Sequence, residues 1–140
     1  MSMKYEFLEH TADLKFRAYG KTVGETFENS VLAFAEIIGK GGGIAERVKR
    51  KGEVFGSDKK NLLYNFLDEL IYLLDAEGFV ASRGELKVGK DGEKLVLKGV
   101  LFGDEASRYK DLDHIKAATY SEMRVGKVKG QWFVQAVVDV

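Results

Sequence analysis

Residues 62–74 carry Leu62, Leu63, Phe66, Leu67, Leu70, Ile71, Leu73 and Leu74. At 100° per residue these positions, with Tyr64, span about 200° of a helical wheel, against the ~100° stripe of a helix with one wet side. Such a helix needs cover on more than one side, and this demand limits the fold more than any other stretch of the chain. Asp68 and Glu69 interrupt the run, which is too short to cross a bilayer. Ser57 or Asp58 can cap its start and Gly78 can stop it, so the spacing predicts a helix from Lys59 to about Glu77.

The cover has to come from the remaining segments. Residues 4–8 and 13–19 read as extended. In the second, Leu14, Phe16 and Ala18 alternate with Lys15, Arg17 and Tyr19, so one face is buried. Thr22-Val23-Gly24-Glu25 has the form of a capping box. Val23, Phe27, Val31, Phe34 and Ile38 then recur at helical spacing, with Gly39 as the expected left-handed stop before a glycine turn. Glu46 to Phe55 is charged and extended. Phe79–Val88 and Lys94–Phe102 flank a hairpin turn at Asp91-Gly92. A polar loop is expected over Gly103 to His114, followed by Ile115–Val125 and Gln131–Val138 around a second turn near Gly126 to Gly130. Strands and hairpins with two helices make an α+β pattern rather than a doubly wound one. The predicted architecture is a β-α-β layered sandwich, with both helices between largely antiparallel sheets.

A chain of 140 residues is expected to form one domain over 1–140, able to bury roughly 68% of its unfolded surface. It has no cysteine, which excludes disulfides, thiolate zinc sites and a cysteine nucleophile, and fits a reducing compartment. No apolar run follows the first lysine, so the expectation is a soluble, cytoplasmic protein. Lys+Arg and Asp+Glu balance at 22 each, which gives no long-range pull on phosphates. The many lysines and glutamates resemble a thermophile's surface.

Four groups of residues could carry chemistry. Asp13, Asp139 and the terminal carboxylate of Val140 would form one acidic pocket if the two ends of the chain meet, and clustered carboxylates are neutralised by a hard divalent cation. On residue types alone, Asp139 reads first as a solvated residue at a frayed end and second as a ligand. His10 and Asp13 are spaced for a local hydrogen bond, or for closing a turn. Asp111-Leu112-Asp113-His114, with Asp104 and Glu105, is either a solvated acidic loop or a zinc or manganese site. Arg47, Lys49, Arg50 and Lys51 form a basic run that either guards a sheet edge or docks RNA or an acidic partner. Tyr120 and Trp132 could stack on a base but read more simply as core.

Glu9-His10-Thr11-Ala12-Asp13, the helix beginning at Thr22, Leu62–Leu74, Lys116-Ala117-Ala118-Thr119-Tyr120 and Val137-Val138-Asp139-Val140 together resemble the archease family, in order and over essentially the whole chain. The resemblance implies a non-catalytic partner of the RtcB-type RNA ligase in tRNA splicing and RNA repair. That ligase guanylylates its own active-site histidine with GTP and Mn²⁺, then activates an RNA 3′-phosphate. The partner promotes guanylylation and multiple turnover and broadens nucleotide use. Older descriptions make it a chaperone or modulator of RNA-modifying enzymes. The resemblance also implies a Ca²⁺, Mg²⁺ or Mn²⁺ ion on Asp13, Asp139 and Val140, which turns round the order of readings for Asp139. His10 and Glu9 would support those ligands, Arg47, Lys49, Arg50 and Lys51 would help dock, and contact with RNA would be indirect or weak. Ser121 stands where many family members have a histidine. The alternative from the residues is a metal-dependent hydrolase or nuclease, for which no positioned nucleophile is apparent.

Overall fold

The Leu62–Leu74 helix finds its cover on both sides. The computed structural model describes residues 3–140. The elements run β1 (Tyr5–Leu8), β2 (Leu14–Gly20), α1 (Val23–Gly39), β3 (Val48–Gly56), α2 (Lys59–Glu77), β4 (Phe79–Asp91), β5 (Lys94–Glu105), β6 (Ala117–Val128) and β7 (Gln131–Asp139). They form two antiparallel sheets, ordered β1-β2-β7-β6 and β3-β5-β4. α2 packs on β6 of the first sheet and on β3, β4 and β5 of the second, while α1 lies between β1, β2 and β7 on one side and β4 on the other. Both helices therefore form the middle layer. Leu62, Leu63 and Leu67 have no exposed surface, and Phe27 of α1 meets Phe66 of α2 with ring centroids 5.6 Å apart.

The inner face of the first sheet is made by alternate residues. Phe16 pairs with Ala136 and Ala18 with Val134, and all four are buried against the helices. In the second sheet Leu86, Leu97 and Leu101 do the same work. Gly56, at the end of β3, is required by close approach: a Cβ there would lie 2.5 Å from the Leu62 backbone. α1 also buries polar residues, each with a partner. Asn29 Nδ2 donates to the Tyr19 carbonyl at 2.6 Å and Ser30 Oγ to the Thr26 carbonyl at 2.9 Å.

The helix ends follow the expected chemistry with two differences. Thr22 Oγ1 accepts from the Glu25 amide at 3.1 Å, but the Glu25 carboxylate reaches the Lys21 amide, at 2.9 Å, rather than that of Thr22. The left-handed stop of α1 is Lys40 (φ 54°), not Gly39, which stays helical against Ile44. Asp58 caps α2, accepting from the Asn61 amide at 2.8 Å, and Gly78 (φ 62°) ends it.

The expected loop over Gly103 to His114 begins late. β5 continues to Glu105, a short 3-10 turn follows at Ala106–Arg108, and Asp104 is fully buried. Burial alone would raise the Asp104 pKa. Hydrogen bonds from Tyr109, the Glu105 amide and Arg47, with the Arg47 charge, outweigh that and hold it below the ordinary carboxylate value. Among the described residues no helix is long and apolar enough to cross a membrane.

Candidate functional site

β2 and β7 run antiparallel with Leu14 opposite Val138, Lys15 opposite Val137 and Arg17 opposite Gln135. Lys15, Arg17 and Tyr19 point to the outer side of the sheet. The ladder ends at Leu14 and Val138, and Asp13 and Asp139 are the next residue of each segment, Asp13 in the bend that precedes β2 and Asp139 as the last residue of β7. Asp139 is exposed and Asp13 half-buried, so neither carboxylate is driven into the core. Asp139 is not at a loose end. It pairs with Ala117 of β6, and its carbonyl accepts from the Lys116 amide at 2.7 Å. Among the described residues, no three His, Cys, Asp or Glu side chains are grouped closely enough to hold a metal by themselves. Two aspartates with a main-chain carboxylate are nevertheless the all-oxygen donor type that hard divalent cations take.

Beside this end of the ladder stands a residue the sequence did not mark. Thr119 of β6 faces Val137 and Arg124 faces Gln135, so residues 120–123 bulge out against Ala136 alone. Glu122, on that bulge, takes φ 56°. Its two carboxylate oxygens accept from Lys15 Nζ and meet His10 Nε2, both at 2.8 Å. Its carbonyl accepts from Gln135 Nε2 at 2.8 Å, and Gln135 Oε1 in turn accepts from Arg17 Nε at 3.2 Å. The bulge is thus bonded to β2, to β7 and to the segment before β2. Hydrogen bonds from Lys15 and then His10, with the Lys15 charge, hold the Glu122 pKa below the ordinary value against a smaller upward push from burial.

The sign of the resulting pH dependence is set by that lowering. Stability from Glu122 is complete above the ordinary glutamate pKa of ~4.3 and is lost as the pH falls through its lower folded value. A series of melting curves from pH 6 to pH 3 should therefore show a shallower acid-side decline for Glu122→Gln than for the wild type.

The other candidates are placed as follows. His10 turns to Glu122 rather than to Asp13, and its Nδ1 is buried without a partner. Glu9 is exposed, as is Ser121, whose amide donates to Thr119 Oγ1 at 2.9 Å. The acidic loop is occupied by neighbours: Lys40 Nζ lies 3.3 Å from Asp111 and 3.6 Å from Asp113, and His114 lies 3.5 Å from Asp75. The basic run is split. Arg47 pairs with Asp104, and Arg50 turns inward to Glu77 and the Phe79 ring. Lys49 and Lys51 stay exposed on the edge strand, Lys49 over the Phe102 ring at 5.7 Å. None of the four lies on β2, β6 or β7, the strands that frame the carboxylates.

The sequence model of the archease protein family matches residues 5–140. The chain is 36% identical to protein archease of Pyrococcus furiosus over 140 residues, covering 98% of this chain and 99% of that protein. It is 39% identical to protein archease of Pyrobaculum neutrophilum, covering 97% and 95%. Among solved structures, protein 1598 of Methanobacterium thermoautotrophicum superposes with a TM-score of 0.83 at 28% identity, over 98% of this chain and 99% of that one. An archease of Thermotoga maritima described as a possible chaperone shares the fold, with a TM-score of 0.58 at 18% identity over 95% and 94% of the two chains. A match over nearly the full length in both sequence and fold places the chain in the archease family.

Proposed function

We propose that this chain is a non-catalytic activator of an RtcB-type RNA ligase in tRNA splicing and RNA repair. It would promote guanylylation of the ligase histidine and turnover beyond the first round, and widen the nucleotides the ligase accepts. The observation that supports this reading is the antiparallel pairing of β2 with β7, which ends at Leu14 and Val138 with Asp13 and Asp139 as the next residues of the two segments. With the carboxylate of Val140 as the third proposed ligand, these residues fit Ca²⁺, Mg²⁺ or Mn²⁺. A bound divalent cation would supply a fixed positive charge able to stabilise developing negative charge at a transferring phosphoryl group.

The chain's own residues do the rest. Asp13, in the bend before β2, and Asp139, at the end of β7, would gather negative charge at one end of the β2–β7 ladder. Lys15, Glu122 and His10 brace the neighbouring bulge, so the tip approaches a partner with little to reorganise. In this reading the chemistry belongs to the ligase. The test is a multiple-turnover ligation assay with the cognate ligase, with and without this protein, beside the isolated protein incubated with RNA and Mn²⁺. The expected result is sustained turnover only when both are present, and no cleavage by the isolated protein. Phosphodiesterase activity of the isolated protein would favour a metal-dependent hydrolase instead.

A further inference from the structure

The charges of the chain cancel overall, but they are unevenly used. Arg47, Arg50, Arg83, Lys98 and Arg108, on or beside the second sheet, each have a carboxylate in ion-pairing range. Among the described residues Lys59, Lys60, Arg124 and Lys127 have none, nor do Lys49, Lys51, Lys87, Lys90 and Lys94, which are spread along the second sheet. The first four come from two segments far apart in sequence and meet along the free edge of β6 beside the first turn of α2, Lys127 on the helix-facing side of the sheet with Trp132 and Arg124 on the outer side with Phe133. Lys59 Nζ lies 5.5 Å and Lys127 Nζ 4.9 Å from the centroid of the Trp132 ring, and the Arg124 guanidinium 5.5 Å from that of Phe133. Lys59, Lys60 and Arg124 line one shallow groove with Asp58, Met123 and Val125. The Asp58 carboxylate is engaged there by the Asn61 amide. Next along β6, Tyr120 is 48% exposed and stacks on Tyr64 at 4.3 Å, with its hydroxyl accepting from Asn61 Nδ2.

We propose that this surface, Lys59, Lys60, Arg124 and Lys127 around Trp132 and Tyr120, binds single-stranded RNA. Cations without carboxylate partners are available to phosphates, and aromatic rings set among them offer stacking surfaces for bases of any sequence. An acidic protein partner fits less well. Tyr120 is the one large apolar side chain on this surface left mainly exposed, so the apolar centre of a protein interface is missing. The run at Arg47–Lys51 is the weaker candidate, since both of its arginines are already paired. The choice of RNA over another single-stranded polyanion rests on the proposed function. In that setting the surface would hold the strand being joined while the carboxylate end meets the ligase.

Trp132 is the only tryptophan of the chain, which makes its fluorescence a local reporter. The isolated protein is titrated with a short single-stranded RNA at several salt concentrations. Saturable quenching is expected, with an affinity that falls with salt at a log–log slope of about −3, for four neutralised phosphates on a single strand. The double variant Lys60→Glu, Arg124→Glu changes neither cation over the indole. It should weaken binding by about tenfold or more and reduce the slope by about one per lost contact. Lys90→Glu, in the β4–β5 hairpin, should bind as the wild type does. Absence of quenching, or unchanged binding by the double variant, would overturn the proposal and leave the cations as guards of the β6 edge. Tight binding of polyaspartate in place of RNA would overturn it in favour of an acidic protein. No ligase is present in this titration, so its failure would not affect the ligation assay, nor the reverse.

Discussion

Under the proposed function, Asp13→Ala and Asp139→Ala will each remove most of the stimulation of the ligase, lowering the stimulated guanylylation rate by about two to three orders of magnitude. That loss corresponds to ~3–4 kcal/mol of transition-state stabilisation, the size expected of one well-placed charge or metal. The fold should survive. Asp139 is exposed and Asp13 half-buried, and surface changes of this kind stay within about 0.5 kcal/mol of wild-type stability. Calorimetric titration with Ca²⁺ or Mn²⁺ separates the metal from the docking role. Wild-type protein should bind, and Asp13→Ala or a short extension after Val140 should not. Equal binding by all three would place the cation elsewhere.

Leu67→Ala will have the largest effect on stability. Leu67 sits on α2 in the middle layer and has no exposed surface. Truncating a buried leucine costs about 2–5 kcal/mol, depending on how far the neighbours collapse, and here two sheets hold the cavity open. Thermal melts should show Tm lowered by roughly 10 °C or more. Tyr72→Ala, on the same helix but 52% exposed, should shift Tm little. Equal shifts for the two would mean that α2 does not lie between two packed faces.

The middle-layer helix was readable because its apolar arc is a local property: eight large side chains within thirteen positions leave only a narrow wet side at Asp68, Tyr72 and Asp75. The strands were readable for the same reason, through alternation at Leu14–Tyr19 and the hairpin signal at Asp91-Gly92, although the turn itself falls one residue later, at Gly92-Glu93, because Asp91 still pairs with Lys94. That Asp13 and Asp139 follow on from one end of a shared ladder needed one further fact, that β2 pairs with β7 in a register setting Leu14 opposite Val138. Register is a tertiary choice, and the residues alone left Asp139 open to being a frayed end.

What stayed hidden depends on contacts across the chain. Glu122 lies more than a hundred positions from its partners His10 and Lys15, and the bulge that turns it toward them leaves no periodic mark. Asp104 looked like a loop residue because the positions around it are polar, yet Arg47 and Tyr109 allow a carboxylate to be buried there. The basic run at 47–51 was legible as the guard of a sheet edge, which β3 is, with Lys49 and Lys51 exposed on it. Strand geometry sends Arg50 inward and Asp104 takes Arg47, while the unpaired cations around Trp132 come from separate segments that no sequence window contains.

The most direct measurement is a time course of radiolabelled guanylate transfer to the cognate ligase in four parallel reactions: with wild-type protein, with Asp13→Ala, with Asp139→Ala and with none. Activation through the carboxylate end predicts fast adduct formation only with the wild type, and both variants close to the ligase alone. Identical rates in all four reactions would contradict it.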